Sequence, residues 1–343
     1  MSTPERPGRR GAGALTLARW AGARRAAGLL VAAVTLALPA VLDDSALAVY
    51  VLLGLAAMVT VGVSLLMGYA GQVSLGQGAF YGVGAYTAAL LALGGLPPLL
   101  GLLAAPVAAA VAALVVGLPL LRLRGHHLAF ATLATQLILL SLAGQLEITG
   151  GDIGLQAIPQ LSAGSWEAGG ASAYAYLTWA GLALVMLVTR NVITSRPGRA
   201  LRALATSETA AASSGIPVGR YKLVVFALSA AFAGLAGGIY CFYTGYVAPG
   251  SFPVLISIQY IVMAVVGGLG TIWGAVVGAA AITLLVQGLD RLANLPGLPS
   301  YAPSVLSYAA YALVLIVVVL FLPNGLLPAL RRLLSREHPA QPR

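Results

Sequence analysis

The 343-residue chain reads as an all-α, polytopic membrane protein of about ten transmembrane helices. Three observations carry that reading. Charged residues make up only 8% of the chain, where soluble domains carry about 25%. Hydrophobic residues reach 59% and the mean hydropathy is +0.93. Apolar runs recur at about the 20 residues that a helix needs to cross hydrocarbon. So few charges cannot solvate a water-facing surface, which excludes a soluble enzyme. The apolar excess equally excludes intrinsic disorder.

Ten runs fit a span: 26–42, 46–66, 77–94, 98–121, 127–146, 172–189, 223–245, 254–272, 274–290 and 303–322. Glycines interrupt 77–94. The pair 254–272 and 274–290 reads as two spans or as one span plus a re-entrant turn. The first run follows an Arg-rich leader and precedes Ala46-Leu47-Ala48, a pattern shared with cleaved secretory signals. At 17 residues it exceeds the usual signal core, so it is expected to be retained. The remaining topology is the same either way.

Charge orients the spans. With the N-terminus inside, eighteen of the nineteen Lys and Arg residues fall in inner segments, and only Arg291 is outside. Asp43, Asp44, Glu147, Asp152, Glu167 and Asp290 fall outside. A bias this steep in Lys and Arg places both termini in the cytoplasm. The expected organisation is a basic N-terminal tail (1–25), a membrane domain (26–322) and a C-terminal tail (323–343). The net charge of +10 lies in short connectors and at the termini, so no basic patch for nucleic acid is built. One cysteine, Cys241, leaves no intramolecular disulfide and no cysteine metal cluster.

Two connectors are long. The outer one, 147–171, has no basic residue. The inner one, 190–222, holds six. From Arg199 to Ser214 it is Ala-rich and free of Pro and Gly, between Pro197-Gly198 and Gly215-Ile216-Pro217. That predicts one amphipathic cytoplasmic helix at the midpoint of the chain. Gly215 is placed to end it in a left-handed conformation. Five spans before the 147–171 connector and five after it would relate the halves by an inverted repeat. Gly68, Gly71, Gly76, Gly78 and Gly82 mirror Gly267, Gly268, Gly270, Gly274 and Gly278. Glycine-interrupted segments at matching places in inverted halves mark transporters.

Apart from His127 and Asp290 at span ends, no ionisable side chain lies in a predicted span. Ion-coupled carriers usually keep such groups for function. The sole lysine, Lys222, precedes Leu223, so the chain has no Walker A motif. Energy is therefore expected from another subunit. Polar but uncharged residues cluster instead: Tyr69, Gln72, Ser74 and Gln77 in the glycine-rich stretch, then Thr132, Thr135 and Gln136 on one helix face. Ser257, Gln259 and Tyr260, and Thr283 with Gln287, follow in the last third. They read as a path for a small polar solute or as interhelical hydrogen bonds, worth about 0.6 kcal/mol each in membranes. Two small-residue stripes, Gly78/Gly82/Ala85/Ala89 and Ala230/Gly234/Gly238, predict close helix approach. Tyr240, Tyr243 and Tyr246 read as an interfacial aromatic belt. His126 and His127 point apart and lack a third ligand, so no metal site is expected.

The motifs then resemble a family. Gly68-Tyr69-Ala70-Gly71-Gln72-Val73-Ser74-Leu75-Gly76, followed by Ala79-Phe80 and Gly82-Val83-Gly84-Ala85-Tyr86, is similar to the signature of ABC importer permeases for branched-chain amino acids. Leu121-Arg122-Leu123-Arg124-Gly125, Gly198-Arg199-Ala200-Leu201-Arg202-Ala203, Val266-Gly267-Gly268-Leu269-Gly270-Thr271 and Pro323-Asn324-Gly325-Leu326 continue it. The resemblance spans roughly 50–330 and is nearest the M-type subunit, partner of a shorter H-type permease.

It implies a multi-pass bacterial inner-membrane subunit without a cofactor or chemistry of its own. It also implies an H-type partner or a second copy, two ATPase subunits and an extracytoplasmic binding protein. The path would use Tyr69, Gln72, Ser74, Gln77, Thr132, Gln136 and Gln259. The ATPase would be met by Arg199, Arg202, Ala203, Glu208, Ala210, Ala211 and Gly215 in the 190–222 loop. Glu208 would pair with Arg202, with Arg220 or with the ATPase. Departures at Ser213-Ser214, Gln77 and Gln136 leave the substrate open, since related permeases carry urea, short amides and other amino acids. A stand-alone carrier or channel for a small neutral solute is the alternative; it would have no need of a docking helix.

Overall fold

The computed structural model describes residue 35, residues 37–293 except 121, 122, 124, 164 and 165, and then 312, 313, 316 and 326. The expected tails, most of the 26–42 span, nearly all of the 303–322 span and most of the Pro323–Leu326 motif lie outside the described residues.

The described chain is helical. Its helices are α1 (Asp44–Ala70), α2 (Gln77–Leu93), α3 (Pro98–Leu120), α4 (His126–Gln145), α5 (Ala171–Thr194), α6 (Arg196–Thr206), α7 (Glu208–Ser213), α8 (Val218–Thr244), α9 (Val254–Gly267) and α10 (Ile272–Ala293). The one sheet among the described residues pairs two two-residue strands, β1 (Ser162–Ala163) antiparallel to β2 (Trp166–Glu167), in the 147–171 connector. Each of the eight expected spans from 46 to 290 corresponds to a helix. Seven helical segments are long and apolar enough to cross a membrane. The exception, α2, has 17 residues, about 26 Å of helix.

The pair 254–272 and 274–290 resolves into two helices. α9 ends at Gly267, and Gly268 and Gly270 carry positive φ (109° and 75°) before α10 begins. α9 alone has 14 residues, about 21 Å. With the turn that starts at Pro249 it reaches 19 residues.

α1 and α8 form the centre; each has 27 residues, about 40 Å. Lipid tails are as apolar as leucine, so helices associate here through close packing rather than through the hydrophobic effect. Small residues supply it. Gly101, Ala105, Ala109, Ala113 and Gly117 recur every fourth position of α3 and are all buried. They face the Ala230/Gly234/Gly238 stripe of α8: a methyl on Gly238 would stand 2.8 Å from Ala105 Cβ. The opposite face of α3 exposes Leu103, Val107, Val111, Val115 and Leu118. The α2 stripe turns elsewhere, with Gly82 against the Phe252 ring and Gly78 against Gln136, Ile256 and Ser257.

The midpoint loop departs from expectation. In place of one helix from Arg199 to Ser214, the chain forms α6 and α7, broken at Ser207. Pro197 and Gly198 lie inside the first turn of α6, where a missing N–H is harmless. Ser207 is extended (φ −160°, ψ 116°), and its hydroxyl accepts from Ala210 N to cap α7. Gly215 then turns with φ +80°. Ala211, expected on an outward face, is 2% exposed and packs inward, while Ala203 and Ala210 are exposed.

Candidate functional site: a polar cavity beside a hydrogen-bonded loop

Two polar regions meet around Phe252. The first is the loop between α1 and α2. Gly71 closes α1 in the left-handed conformation (φ 63°). Gln72, Ser74 and Gln77 then turn inward and are buried. Leu75 N donates to Thr132 Oγ1 (2.9 Å), and Gly78 N donates to Ser257 Oγ (2.7 Å). Ser257 Oγ donates in turn to Gln136 Oε1 (2.6 Å), and Gln136 Nε2 donates to the carbonyls of Phe252 and Pro253. Gln77 Nε2 donates to Ser229 Oγ on α8 (3.2 Å). The α4 residues Thr132 and Gln136 thus join the 72–77 loop, as their shared face predicted. Gln72 differs: it is 1% exposed, and neither amide atom has a partner among the described residues.

Tyr69, on the last turn of α1 before this loop, donates its hydroxyl to Gly270 O (2.6 Å). The two mirrored glycine segments therefore touch. Gly68 lies so close to Gly270 and Leu269 that a methyl there would collide with backbone.

The second region is a half-open cavity of about 300 Å³ lined by α1, α2, α8, α9 and α10. Tyr81, Tyr240, Ser251, Gln259, Tyr260, Thr283 and Gln287 supply its polar groups, among Leu52, Leu55, Ile256, Met263, Ile282 and Val286. Among the described residues, no Asp, Glu, Lys, Arg or His lines it. The volume is at the small end of the range for small-molecule pockets, and the mix of apolar wall and few polar groups is typical of them. Tyr81 lies 5.6 Å from Tyr240 and 6.4 Å from Tyr260, ring to ring. Phe252, fully buried, packs against Tyr81, Tyr86 and Tyr240. Its carbonyl is held by Gln136, so one residue joins cavity and loop.

Of the expected path residues, only Gln259 lines this cavity. Tyr69 stands apart at the glycine crossing; Ser74, Gln77, Thr132 and Gln136 form the buried loop network, and Gln72 is buried in the same loop without a partner among the described residues. Sequence reasoning missed Tyr81 and Phe252 and read Tyr240 as an interfacial residue. Tyr243 packs on Tyr174 within the chain, and the Tyr246 hydroxyl reaches Ile153 O. A tyrosine near a span end carries no mark of which way it turns.

The expected partners of Glu208 are also corrected. Its carboxylate pairs with the Lys222 ammonium, not with Arg202 or Arg220. Arg202 donates to Ile193 O instead. Lys222 lies on the first turns of α8, fourteen residues from Glu208, where the Gly215 turn folds the chain back.

Seven membrane-crossing candidates among the described residues, four of which line an uncharged polar cavity, define a multi-pass helical membrane protein. The chain belongs to the family described as the branched-chain amino acid transport system permease component, whose model matches residues 45–322. It is 32% identical to the high-affinity branched-chain amino acid transport system permease protein LivM of Escherichia coli K12, over 85% of this chain and 71% of that protein. The LivM protein of Salmonella typhimurium LT2 is also 32% identical, over 82% of this chain and 68% of its own. The permease protein LivH of E. coli K12 is 27% identical over 79% of this chain and 90% of its own. No solved structure matches the chain.

Proposed function

We propose that this chain is the membrane-spanning permease subunit of an ATP-driven importer for branched-chain or other small amino acids. The observation that carries the reading is a polar but uncharged cavity between α1, α2, α8, α9 and α10 in a chain from this family. A zwitterion crossing there would meet hydroxyls, amides and aromatic faces, with aliphatic wall for its side chain. No fixed charge would hold it, so it could leave. The path runs from Gln259 and the cavity past Phe252 to Gln136, Thr132, Gln77, Ser74 and Gln72, with Tyr69 at the glycine crossing.

In this reading the chain has ten spans in a five-plus-five inverted repeat, with both termini and the 190–222 loop in the cytoplasm. The tails are 1–25 and 323–343. The Lys and Arg bias supports the orientation, and the contact of the mirrored glycine segments at Tyr69 and Gly270 supports the repeat. Resemblance to both LivM and LivH supports an H-type partner or a second copy. Two ATPase subunits dock on the exposed residues Arg199, Arg202, Ala203, Ala210 and Gly215 of the 190–222 loop and drive alternating access. An extracytoplasmic binding protein delivers the solute to this bacterial inner-membrane complex.

The test is reconstitution in proteoliposomes. The chain with its permease partner and ATPases should accumulate leucine when loaded binding protein and ATP are supplied. The chain alone should neither accumulate solute nor hydrolyse ATP. Concentrative uptake by the single chain would replace the importer reading with a carrier.

A further inference from the structure

The only ion pair among the described residues joins Glu208, on the first turn of α7, to Lys222 near the start of α8. The Lys222 side chain is 7% exposed and that of Glu208 is 36% exposed. An ammonium this buried holds its place only when paired, because taking a charge from water costs several kcal/mol. The pair is therefore more than a solvated surface contact. The same face of α8 carries two further polar contacts. Ser229 and Tyr240 stand seven and eighteen residues beyond Lys222, about two and five full helical turns. Ser229 accepts from Gln77, and Tyr240 lines the cavity. Between them α8 cannot bend freely, since Gly234 and Gly237 press against the backbone of α3 and α2.

We propose that Glu208 and Lys222 are positioning residues that clamp the cytoplasmic helix α7 to α8, so that α8 carries its movement as one rod to Gln77 and the cavity. This rests on the importer reading above. If it holds, the Glu208 carboxylate is engaged within the chain and is not a contact for the ATPase.

The experiment uses Glu208→Lys, Lys222→Glu and the double exchange, with Glu208→Gln as a milder variant. Amide hydrogen exchange across 208–215 in the purified chain reads the clamp without any partner. Each single variant should exchange about tenfold faster there, and the double should return toward wild type. In the full complex each single variant should keep the ATPase bound but lower binding-protein-stimulated hydrolysis about tenfold, within the 5–150-fold range of allosteric couplings; the double should recover most of it. Unchanged exchange in Glu208→Gln would overturn the clamp. So would a double exchange that stays defective, including when the single variants fail to fold. Restored exchange with hydrolysis unaffected in every variant would overturn the coupling role. A wild-type complex without binding-protein-stimulated hydrolysis would instead remove the importer reading, while the exchange result still reports on the clamp.

Discussion

The seam between α2 and α8 and the cavity lined by α1, α9 and α10 differ in what stands between the helices. In the seam, Gly84 lies on Gly234, and Gly237 lies on the carbonyl of Tyr81, with no room for a methyl at either place. Beside the cavity, α9 and α10 also close to backbone contact at one end, where Gly267 lies on the carbonyl of Gly274 and Gly278 on that of Met263, and the space opens only further along, where larger side chains line it. The difference teaches what small residues do in a membrane. Where they face each other, helices close to backbone contact. Where Tyr81, Tyr240 and Tyr260 intervene, they cannot, and space for a solute remains. The seam is thus the frame and the cavity the working part.

The largest expected effect breaks the frame. Gly237→Leu should destabilise the protein by about 3 kcal/mol or more, since its side chain meets backbone that cannot give way. Monodispersity and melting temperature in detergent would read this, and a wild-type melting curve would show that the seam is not rigid. A smaller effect is expected at the cavity. Gln259→Leu should leave the melting curve within about 0.5 kcal/mol of wild type. It should lower leucine uptake by the reconstituted complex about fivefold, matching the roughly 1 kcal/mol of one neutral hydrogen bond. Unchanged uptake would remove Gln259 from the path. The smallest is Gly288→Ala on α10, where a methyl meets nothing within 4 Å. It should stabilise the helix by less than about 1 kcal/mol. Destabilisation there would mean that this face is packed and the contrast with the seam is overdrawn.

Much of the architecture was legible in the residues. Spans of apolar sequence specify helices because every backbone polar group must be satisfied within the segment once water is gone. Their ends were less legible. α1 runs four residues past the end of its expected span and α8 begins five residues before its own, since a helix does not stop where an apolar run stops. The face shared by Thr132 and Gln136 was readable from spacing alone, because i, i+4 geometry is local. The break at Ser207 was not, because helix propensity gives that serine no reason to leave a run of alanines. Its cap on α7 becomes favourable only once the loop turns back and Glu208 meets Lys222.

The same division runs through the candidate site. Chain-local physics settled the helical class, the membrane-crossing segments and the polar, uncharged character of the interior, because hydropathy and charge count are properties of each segment by itself. The folded arrangement alone settled which polar groups meet. Tyr81, Tyr240, Gln259 and Gln287 come from four helices, and the pairing of Glu208 with Lys222 depends on a turn between them. Period and composition say which face of a helix is polar. Which neighbour that face meets depends on how closely the glycines let the other helices approach.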